Sequence, residues 1–298
     1  MTVAPARSFS AALSNVTSRA RGVSLLGAIG LLFVVLFILL AVCGPWFALD
    51  ANARTGGALL PPSSGHPFGT DNLGRDLFAR VAEGARLSLI VATSSVVACI
   101  VVGVPLGLLA GFNGGTWIDD VITRCLEALQ ALPLFIFALF VMGMVGSGAS
   151  QLGPITISPA AKIVLLLAVS FLPYFGRVAR AATLVEAQEE YVDALRVLGV
   201  SRWRIVLGEL LPNVMPPVLV QAFLWVGMAI FAESALSFLG LGIQPPQPSL
   251  GNILSDATSY LMLGAWWFSI IPGLIILLVT IGINLVGDDV DKLLTRRR

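Results

Sequence analysis

Hydrophobic residues in this chain occur in long uninterrupted runs rather than in the short alternating patterns of soluble proteins. The first run extends from Ser24 to Cys43 without a charged residue. Later runs begin near Leu87, Pro133, Pro159, Asn213 and Ala265. A helix needs about 20 apolar residues, each rising about 1.5 Å, to cross a hydrocarbon core of about 30 Å. The pattern therefore predicts an all-α integral membrane protein with six transmembrane helices.

Composition agrees with this pattern, because 57% of the residues are hydrophobic and only 12% are charged. Such a chain has too few polar residues to cover a soluble surface. The first apolar run is longer than the core of about 7–15 residues in a secretory signal, so we interpret it as a retained anchor. The shortest run, 162–177, is predicted to include residues 157–161 in its span.

The distribution of Lys and Arg predicts the orientation. With six spans and the N-terminus inside, the cytoplasmic segments hold 13 of these residues and the external segments hold 5. This excess predicts that both termini are cytoplasmic. The chain then divides into a cytoplasmic N-terminal arm (1–22), the first span with an external segment (23–85), and a five-helix core (86–298). That core contains a long cytoplasmic loop, 181–212, which we name the coupling loop.

The external segment contains a charged stretch that predicts a turn followed by a helix. Thr70 or Asp71 is placed to cap this helix, and Asp76 and Arg80 are four residues apart, so they could form an ion pair. Two interpretations remain open at this point. The helix is either a solvated element beside the membrane or an external docking or gate element, whose candidate residues are Asp71, Arg75 and Asp76.

The sequence of the coupling loop predicts two helices separated by a glycine. Val192, Leu195 and Leu198 repeat every three residues, which predicts a short helix with an exposed apolar stripe that needs a partner to bury it. Gly199 is predicted to end this helix in the left-handed conformation. Ser201 can cap the next helix, which leads into the fifth span.

The motif Asp193-Ala194-Leu195, followed by three residues, Gly199 and later Leu211-Pro212, resembles the E-A-A-x-x-x-G loop of permease subunits of bacterial ABC importers. Asp193 stands for the usual Glu, and Leu195 for the second Ala. Six further segments resemble the C-type subunit of the dipeptide and oligopeptide branch of this family: 66–76, 84–86, 233–242, 248–251, 272–273 and 284–288. This resemblance implies the type I ABC importer permease fold.

The resemblance also implies how the loop acts, because in that family it forms a helix that inserts into a groove on the ATPase subunit. The residues assigned to this role are Glu190, Tyr191, Asp193, Ala194, Leu195, Gly199, Val200, Ser201, Arg202 and Trp203. Further implied partners are a homologous second permease in a heterodimer, a second ATPase domain, an external solute-binding protein and the lipid bilayer, but no nucleic acid.

The expected function is transport rather than catalysis. The sequence contains no G-x-x-x-x-G-K-[ST] motif, so ATP and Mg²⁺ are expected in the partner subunits and no cofactor in this chain. The implied role is half of a translocation pore for di- or oligopeptides. Nickel-chelate or glutathione transport in the same family, or a gradient-driven secondary transporter, are the alternatives.

Glu233 is an acidic residue that the sequence places along the fifth apolar span. It lies about 30 Å along the fifth helix, near the outer interface. There it either reaches headgroup water or caps the following helix, or it forms part of a gate or substrate path. No catalytic group is predicted, and with His66 as the only histidine no metal site is predicted either.

Overall fold

A computed structural model describes residues 24–146, 148–152 and 155–295, so the predicted arm 1–22 lies outside the described residues. Its α-helices are α1 (Leu25–Phe47), α2 (Leu77–Phe112), α3 (Trp117–Gln130), α4 (Leu134–Val145), α5 (Pro159–Glu186), α6 (Glu190–Val197), α7 (Arg202–Arg204), α8 (Leu211–Phe238), α9 (Leu250–Ala257) and α10 (Trp266–Thr295). A π-helical turn, Ile205–Leu210, joins α7 to α8, and a 3₁₀ helix, Thr258–Leu263, follows α9.

Two short strands, β1 (Ser150–Leu152) and β2 (Ile155–Ile157), form an antiparallel hairpin between α4 and α5. They are an exception to the all-α expectation. Ser150 pairs with Ile157, and Gln151 pairs with Thr156. The hairpin links two helices and adds no layer to the fold.

Within the described part of the chain, five helical segments are long and apolar enough to cross a membrane: Leu25–Phe47, Leu77–Phe112, Pro159–Glu186, Arg202–Phe238 and Trp266–Val290. The remaining predicted span, which is the third in chain order, corresponds to α3 and α4, and these two helices are bent relative to each other by 83°. Pro133 lies at the bend as the N-cap of α4. Proline has no N–H and disfavours a helical residue before it, so it favours a bend or a new helix start at this position.

The shortest predicted span begins close to where the sequence indicates. Ser158 caps α5 by accepting a hydrogen bond from the N–H of Ala161, and Pro159 occupies the first turn. Proline is tolerated there because the first helical N–H groups have no partner within the helix. Residues 159–161 are part of this span as predicted, whereas Ile157 ends β2 and Ser158 is the N-cap, so the predicted start at residue 157 is two residues early.

Small residues bring the long helices into close contact. A Cβ atom on Gly107 of α2 would overlap the carbonyl of Gly176 on α5, and one on Gly30 of α1 would lie 2.7 Å from the carbonyl of Gly282 on α10. Small residues at such positions let helix backbones approach closely inside a membrane. The α8 helix packs against both α2 and α10 and completes the bundle.

We name the two ends of the bundle by the predicted orientation. The cytoplasmic end carries the α2–α3 turn and the coupling loop. The external end carries the segment after α1, the hairpin and α9. At the external end, Trp267 Nε1 of α10 donates a hydrogen bond to the carbonyl of Thr70 at 3.3 Å, which ties the external segment to the bundle.

Candidate functional site

The helix α6 ends with the geometry that the sequence predicts. Gly199 has a φ of +75°. Its N–H donates to the carbonyl of Arg196 at 3.1 Å, and the N–H of Val200 donates to the carbonyl of Leu195 at 3.1 Å. These two bonds form a Schellman motif, whose left-handed residue is usually glycine because glycine has no Cβ. The predicted helix stop at Gly199 is confirmed.

The apolar side chains of α6 do not form one exposed stripe. Val192 is fully buried against the bundle, Leu195 is half-buried, and Leu198 is 78% exposed. The predicted stripe is wrong because a step of three residues falls short of a full helical turn by about 60°. Successive residues of the row therefore rotate around the helix, from Val192 on the bundle side to Leu198 on the solvent side. Val197, which is 88% exposed, joins Leu198 there, and we name this pair the apolar tip.

Other predicted coupling residues lie on the solvent side of α6. Glu190 and Ala194 are exposed, and Glu190 lies in the first turn, where a carboxylate suits the helix dipole. Asp193 is also exposed and accepts a hydrogen bond from Arg196 Nη1 at 2.9 Å. Ser201 occupies the N-cap of α7 but makes no side-chain capping bond, so that part of the prediction is wrong.

Two flanking surfaces contain the last predicted residues of the loop. Val200 and Arg202 line a cleft of about 540 Å³ beside the α2–α3 turn. Trp203 lines an apolar groove along the bundle with Leu108 and Leu109 of α2. Trp203 therefore has neighbours in the spans as well as in the loop, and its predicted contact with an ATPase subunit stays a prediction.

A hydrogen-bonded group that sequence reasoning missed joins α5, α6 and α8. Tyr191 Oη donates to Glu186 Oε1 at 2.7 Å. Asn213 Nδ2 donates to the same oxygen at 2.8 Å and lies 3.2 Å from Tyr191 Oη. We name Glu186, Tyr191 and Asn213 the polar tie. Burial, together with the hydrogen bond to Glu186, raises the pKa of Tyr191, so its hydroxyl stays protonated.

A second missed contact fixes the start of the bent pair α3–α4. Arg180 of α5 donates to both carboxylate oxygens of Asp119, from Nε at 2.5 Å and from Nη2 at 2.7 Å. Asp119 is almost completely buried and also accepts a hydrogen bond from the N–H of Gly115. Bidentate pairs of this kind fix geometry as well as charge. Nothing in the spacing of these residues along the chain indicates the pair.

At the external end the charged stretch is buried rather than solvated. Asp71 Oδ2 accepts a hydrogen bond from Arg75 Nε at 2.6 Å and lies 3.4 Å from Arg80 Nε. Arg80 is only 2% exposed, so the interpretation as a solvated helix is wrong. Among the described residues, Arg80 Nε and Nη1 have no hydrogen-bond partner. Asp71 is fully buried, so its contacts with Arg75 and Arg80 stabilise this region from inside the protein.

Asp76 differs from its predicted role. It is the N-cap of α2, with Oδ1 accepting a hydrogen bond from the N–H of Ala79 at 2.8 Å. Its other oxygen lies 2.7 Å from His66 Nδ1. Thus the cap is Asp76 rather than Thr70 or Asp71, and the expected pair with Arg80 does not form. The N–H of Ala79 and the ring of His66 each contact one oxygen of Asp76 instead.

Glu233 belongs to α8 and is fully buried where α8 packs against α2. Ser88 Oγ donates to Glu233 Oε2 at 2.5 Å, and Ser237 Oγ donates to Oε1 at 2.8 Å. Ser237 also accepts a hydrogen bond from the N–H of Ile243, which begins the chain toward α9. The interpretations of Glu233 as a headgroup-exposed group or as a cap are wrong. Ser88 reaches Glu233 because α2 packs against α8, and Ser237 lies one turn further along α8.

The order of these elements agrees with a known protein family. The family model described as "Binding-protein-dependent transport system inner membrane component" matches residues 103–298, which is more than half of the chain. The chain belongs to this family. It is therefore a multi-pass inner membrane component of a transport system, not an enzyme. The family's description states that its transport systems depend on a binding protein.

Curated relatives of this transport component cover most of its length. The dipeptide transport system permease protein DppC of Alkalihalophilus pseudofirmus is 36% identical over 88% of this chain and 83% of the relative. The di/tripeptide transport system permease protein DppC of Pseudomonas aeruginosa is 40% identical over 87% and 84%. The glutathione transport system permease protein GsiD of Pectobacterium atrosepticum is 37% identical over 76% and 71%.

Solved structures show the fold of this transport component. An inward-facing structure of the MetNI methionine ABC transporter is similar with a TM-score of 0.53 at 20% identity, over 70% of this chain and 93% of that chain. The predicted type I ABC importer permease fold is confirmed. The family match begins at Gly103, so α1 and the external segment precede the matched part.

Proposed function

We propose that this permease forms half of the translocation pore of an ATP-driven importer for di- and oligopeptides in the bacterial cytoplasmic membrane. The observation that carries the proposal is the exposed apolar tip of α6, which stands between the spans α5 and α8. An apolar surface at such a position suits burial by a partner subunit. Peptide substrates are supported by relatives named for dipeptide and di/tripeptide transport.

The proposed assembly contains a homologous second permease, two ATPase domains and an external solute-binding protein. ATP and Mg²⁺ would bind in the ATPase domains, since this chain has no phosphate-loop motif. Burying the apolar tip would supply about 1.5–3 kcal/mol for each large side chain. Closure of the ATPase domains would then displace α6, and the attached spans would convert this displacement into alternating access.

The proposal is tested with Gly199→Ala, in proteoliposomes that contain the partner subunits and the binding protein. An alanine at φ near +75° is strained, so the end of α6 must change. We expect insertion and ATP hydrolysis to persist while peptide uptake falls. Gly115→Ala is the matched control, because Gly115 has the same φ and also has no atom within 4 Å of an added Cβ.

Asp193→Ala is a second variant for the same assay, since it removes one exposed charge of α6 without changing the helix stop. Normal uptake by both the Gly199 and the Asp193 variants would contradict the coupling role. Purification in mild detergent provides the complementary test. Recovery of an ATPase and a second permease supports the importer, whereas transport by the chain alone would overturn it in favour of a gradient-driven transporter.

Glutathione is a second candidate substrate, because one relative at 37% identity is named for its transport. Nickel-chelate transport in the same family is a further alternative. Uptake of a labelled dipeptide, measured with excess unlabelled oligopeptide, glutathione or nickel chelate as competitor, separates these substrates. Competition by peptides alone supports the proposal.

A further inference from the structure

The coupling helix α6 is joined to the bundle by short connections that do not by themselves fix its direction. Residues 187–189 lead from α5 into α6, and residues 198–201 lead from α6 into α7. The apolar anchor on its inner face is Val192, which is fully buried. Leu195 beside it is only half-buried, and apolar burial is non-directional, so these contacts leave the helix able to rock about that point. A second attachment is needed before a push on the apolar tip can move the spans.

The polar tie supplies this second attachment. Its three residues come from the last turn of α5, the first turn of α6 and the first turn of α8. Glu186 Oε1 accepts hydrogen bonds from both Tyr191 and Asn213, at 2.7 and 2.8 Å, and the two donors lie 3.2 Å apart. Hydrogen bonds to an ionised carboxylate are stronger than those between neutral groups. The contact therefore joins both flanking spans to α6 at a single oxygen atom.

We propose that Glu186, Tyr191 and Asn213 are positioning residues for energy coupling, which hold α6 in a fixed orientation to α5 and α8. This inference rests on the proposed function, because it concerns how the motion of α6 reaches the spans. With the tie intact, displacement of the apolar tip moves α5 and α8 together. With the tie broken, α6 rocks about Val192, and part of the displacement is lost before it reaches the spans.

The position of the tie agrees with this role more than with a role in docking. Glu186 and Tyr191 are half-buried on the bundle side of the loop, while the apolar tip lies at the other end of α6. The hydroxyl of Tyr191 remains protonated across the physiological pH range, because its pKa is raised from an ordinary value of 10.0. The hydroxyl therefore keeps the proton that it donates to Glu186 in the structure.

The test uses Tyr191→Phe, which removes one hydroxyl and keeps the ring. The full complex is reconstituted with its ATPase subunits, second permease and binding protein, and ATP hydrolysed per peptide imported is measured. We expect this ratio to rise about fivefold, the change in an equilibrium that follows from losing one ordinary hydrogen bond. Asn213→Asp, which places a second carboxylate beside Glu186, is expected to raise the ratio further.

Two controls separate positioning from stability. Tyr260→Phe removes a tyrosine hydroxyl at the external end, where it accepts a hydrogen bond from Asn72, and is expected to keep the wild-type ratio. Copurification of the ATPase subunit with each variant shows whether docking survives. The double variant Tyr191→Phe/Asn213→Ala should raise the ATP-to-peptide ratio no further than the more affected of Tyr191→Phe and Asn213→Ala measured singly, because the residues act as one unit.

The outcomes are distinguishable from failure of the proposed function. If the wild-type complex imports peptide and Tyr191→Phe keeps its ATP-to-peptide ratio, the tie has no role in coupling and the inference is overturned. If Tyr191→Phe loses the ATPase subunit, the residue belongs to the docking surface, which also overturns the inference. If the wild-type complex neither recruits an ATPase nor imports peptide, the proposed function itself fails.

Discussion

Glu233 shows how a single acidic residue can be accommodated among apolar helices. Ser88 and Ser237 donate to its two oxygens, so a carboxyl group that would be costly to bury alone has a partner at each oxygen. Because Ser88 belongs to α2 and Ser237 to the end of α8, the group also joins two helices. Its position is therefore that of a structural link at the external end of the bundle.

Replacing Glu233 should destabilise the protein according to the hydrogen bonds that remain. Glu233→Ala leaves the two serine hydroxyls without their acceptor, at a cost of about 2 kcal/mol in the free energy of unfolding. Glu233→Gln keeps a side-chain oxygen for one serine, so we expect a smaller loss. Thermal unfolding in detergent measures both. The same changes at Glu209, which is exposed, serve as controls, and equal stability of Glu233→Ala and wild type would contradict this role.

We expect the stability of the folded protein to depend on pH through Asp256 on α9. Burial raises the pKa of Asp256 above its ordinary value of 3.8, although Arg80 and Arg75 oppose the effect. The folded state therefore binds the proton more tightly than the unfolded state. The resulting stabilisation is complete below the ordinary pKa and is lost as the pH rises through the raised pKa.

Asp256→Asn tests this pH dependence, because it removes the titrating group and keeps the side-chain shape. We expect the melting temperature of the variant to rise relative to that of the wild type as the pH increases from about 4 to about 7. Asp50→Asn, at an exposed external aspartate, is the control. A pH-independent difference at Asp256 would show that its ionisation does not affect folding.

At the scale of elements, close helix contacts depend on glycines whose surroundings differ. Gly107→Ala would place a methyl group against the carbonyl of Gly176, so α2 and α5 must separate at a cost of about 1–3 kcal/mol. Gly143 in α4 has open space around it, and Gly143→Ala should be neutral or stabilising by up to about 1 kcal/mol. Thermal unfolding of the two variants compares them, and equal melting temperatures would show that α2 and α5 do not require this close contact.

The coupling helix illustrates how far local patterns reach at this scale. The end of α6 follows from one residue, because Gly199 adopts a positive φ that other residues resist. The direction of its apolar row depends instead on the surface beneath it. Val192 packs on the bundle while Leu198 faces solvent, and a spacing of three residues is compatible with either side.

At the scale of the whole molecule, orientation in the membrane is the main prediction. In a background without Cys43, Cys99 and Cys125, a membrane-impermeant maleimide should label Asn52→Cys in intact cells. Thr116→Cys, in the exposed α2–α3 turn, should be labelled only after the membrane is permeabilised. The reverse pattern would invert the topology and place the coupling loop outside, where no ATPase subunit could reach it.

The sequence by itself determined the order of the apolar spans, the start of α5 near Pro159 and the helix stop at Gly199. These features depend on local composition, on helical period and on the backbone limits of proline and glycine. The tertiary structure alone decided which polar groups meet. Glu186 and Asn213 are 27 residues apart, Asp119 and Arg180 are 61 apart, and Ser88 and Glu233 are 145 apart. Such pairs arise when helices distant in sequence pack together, and no periodicity along one chain segment encodes them.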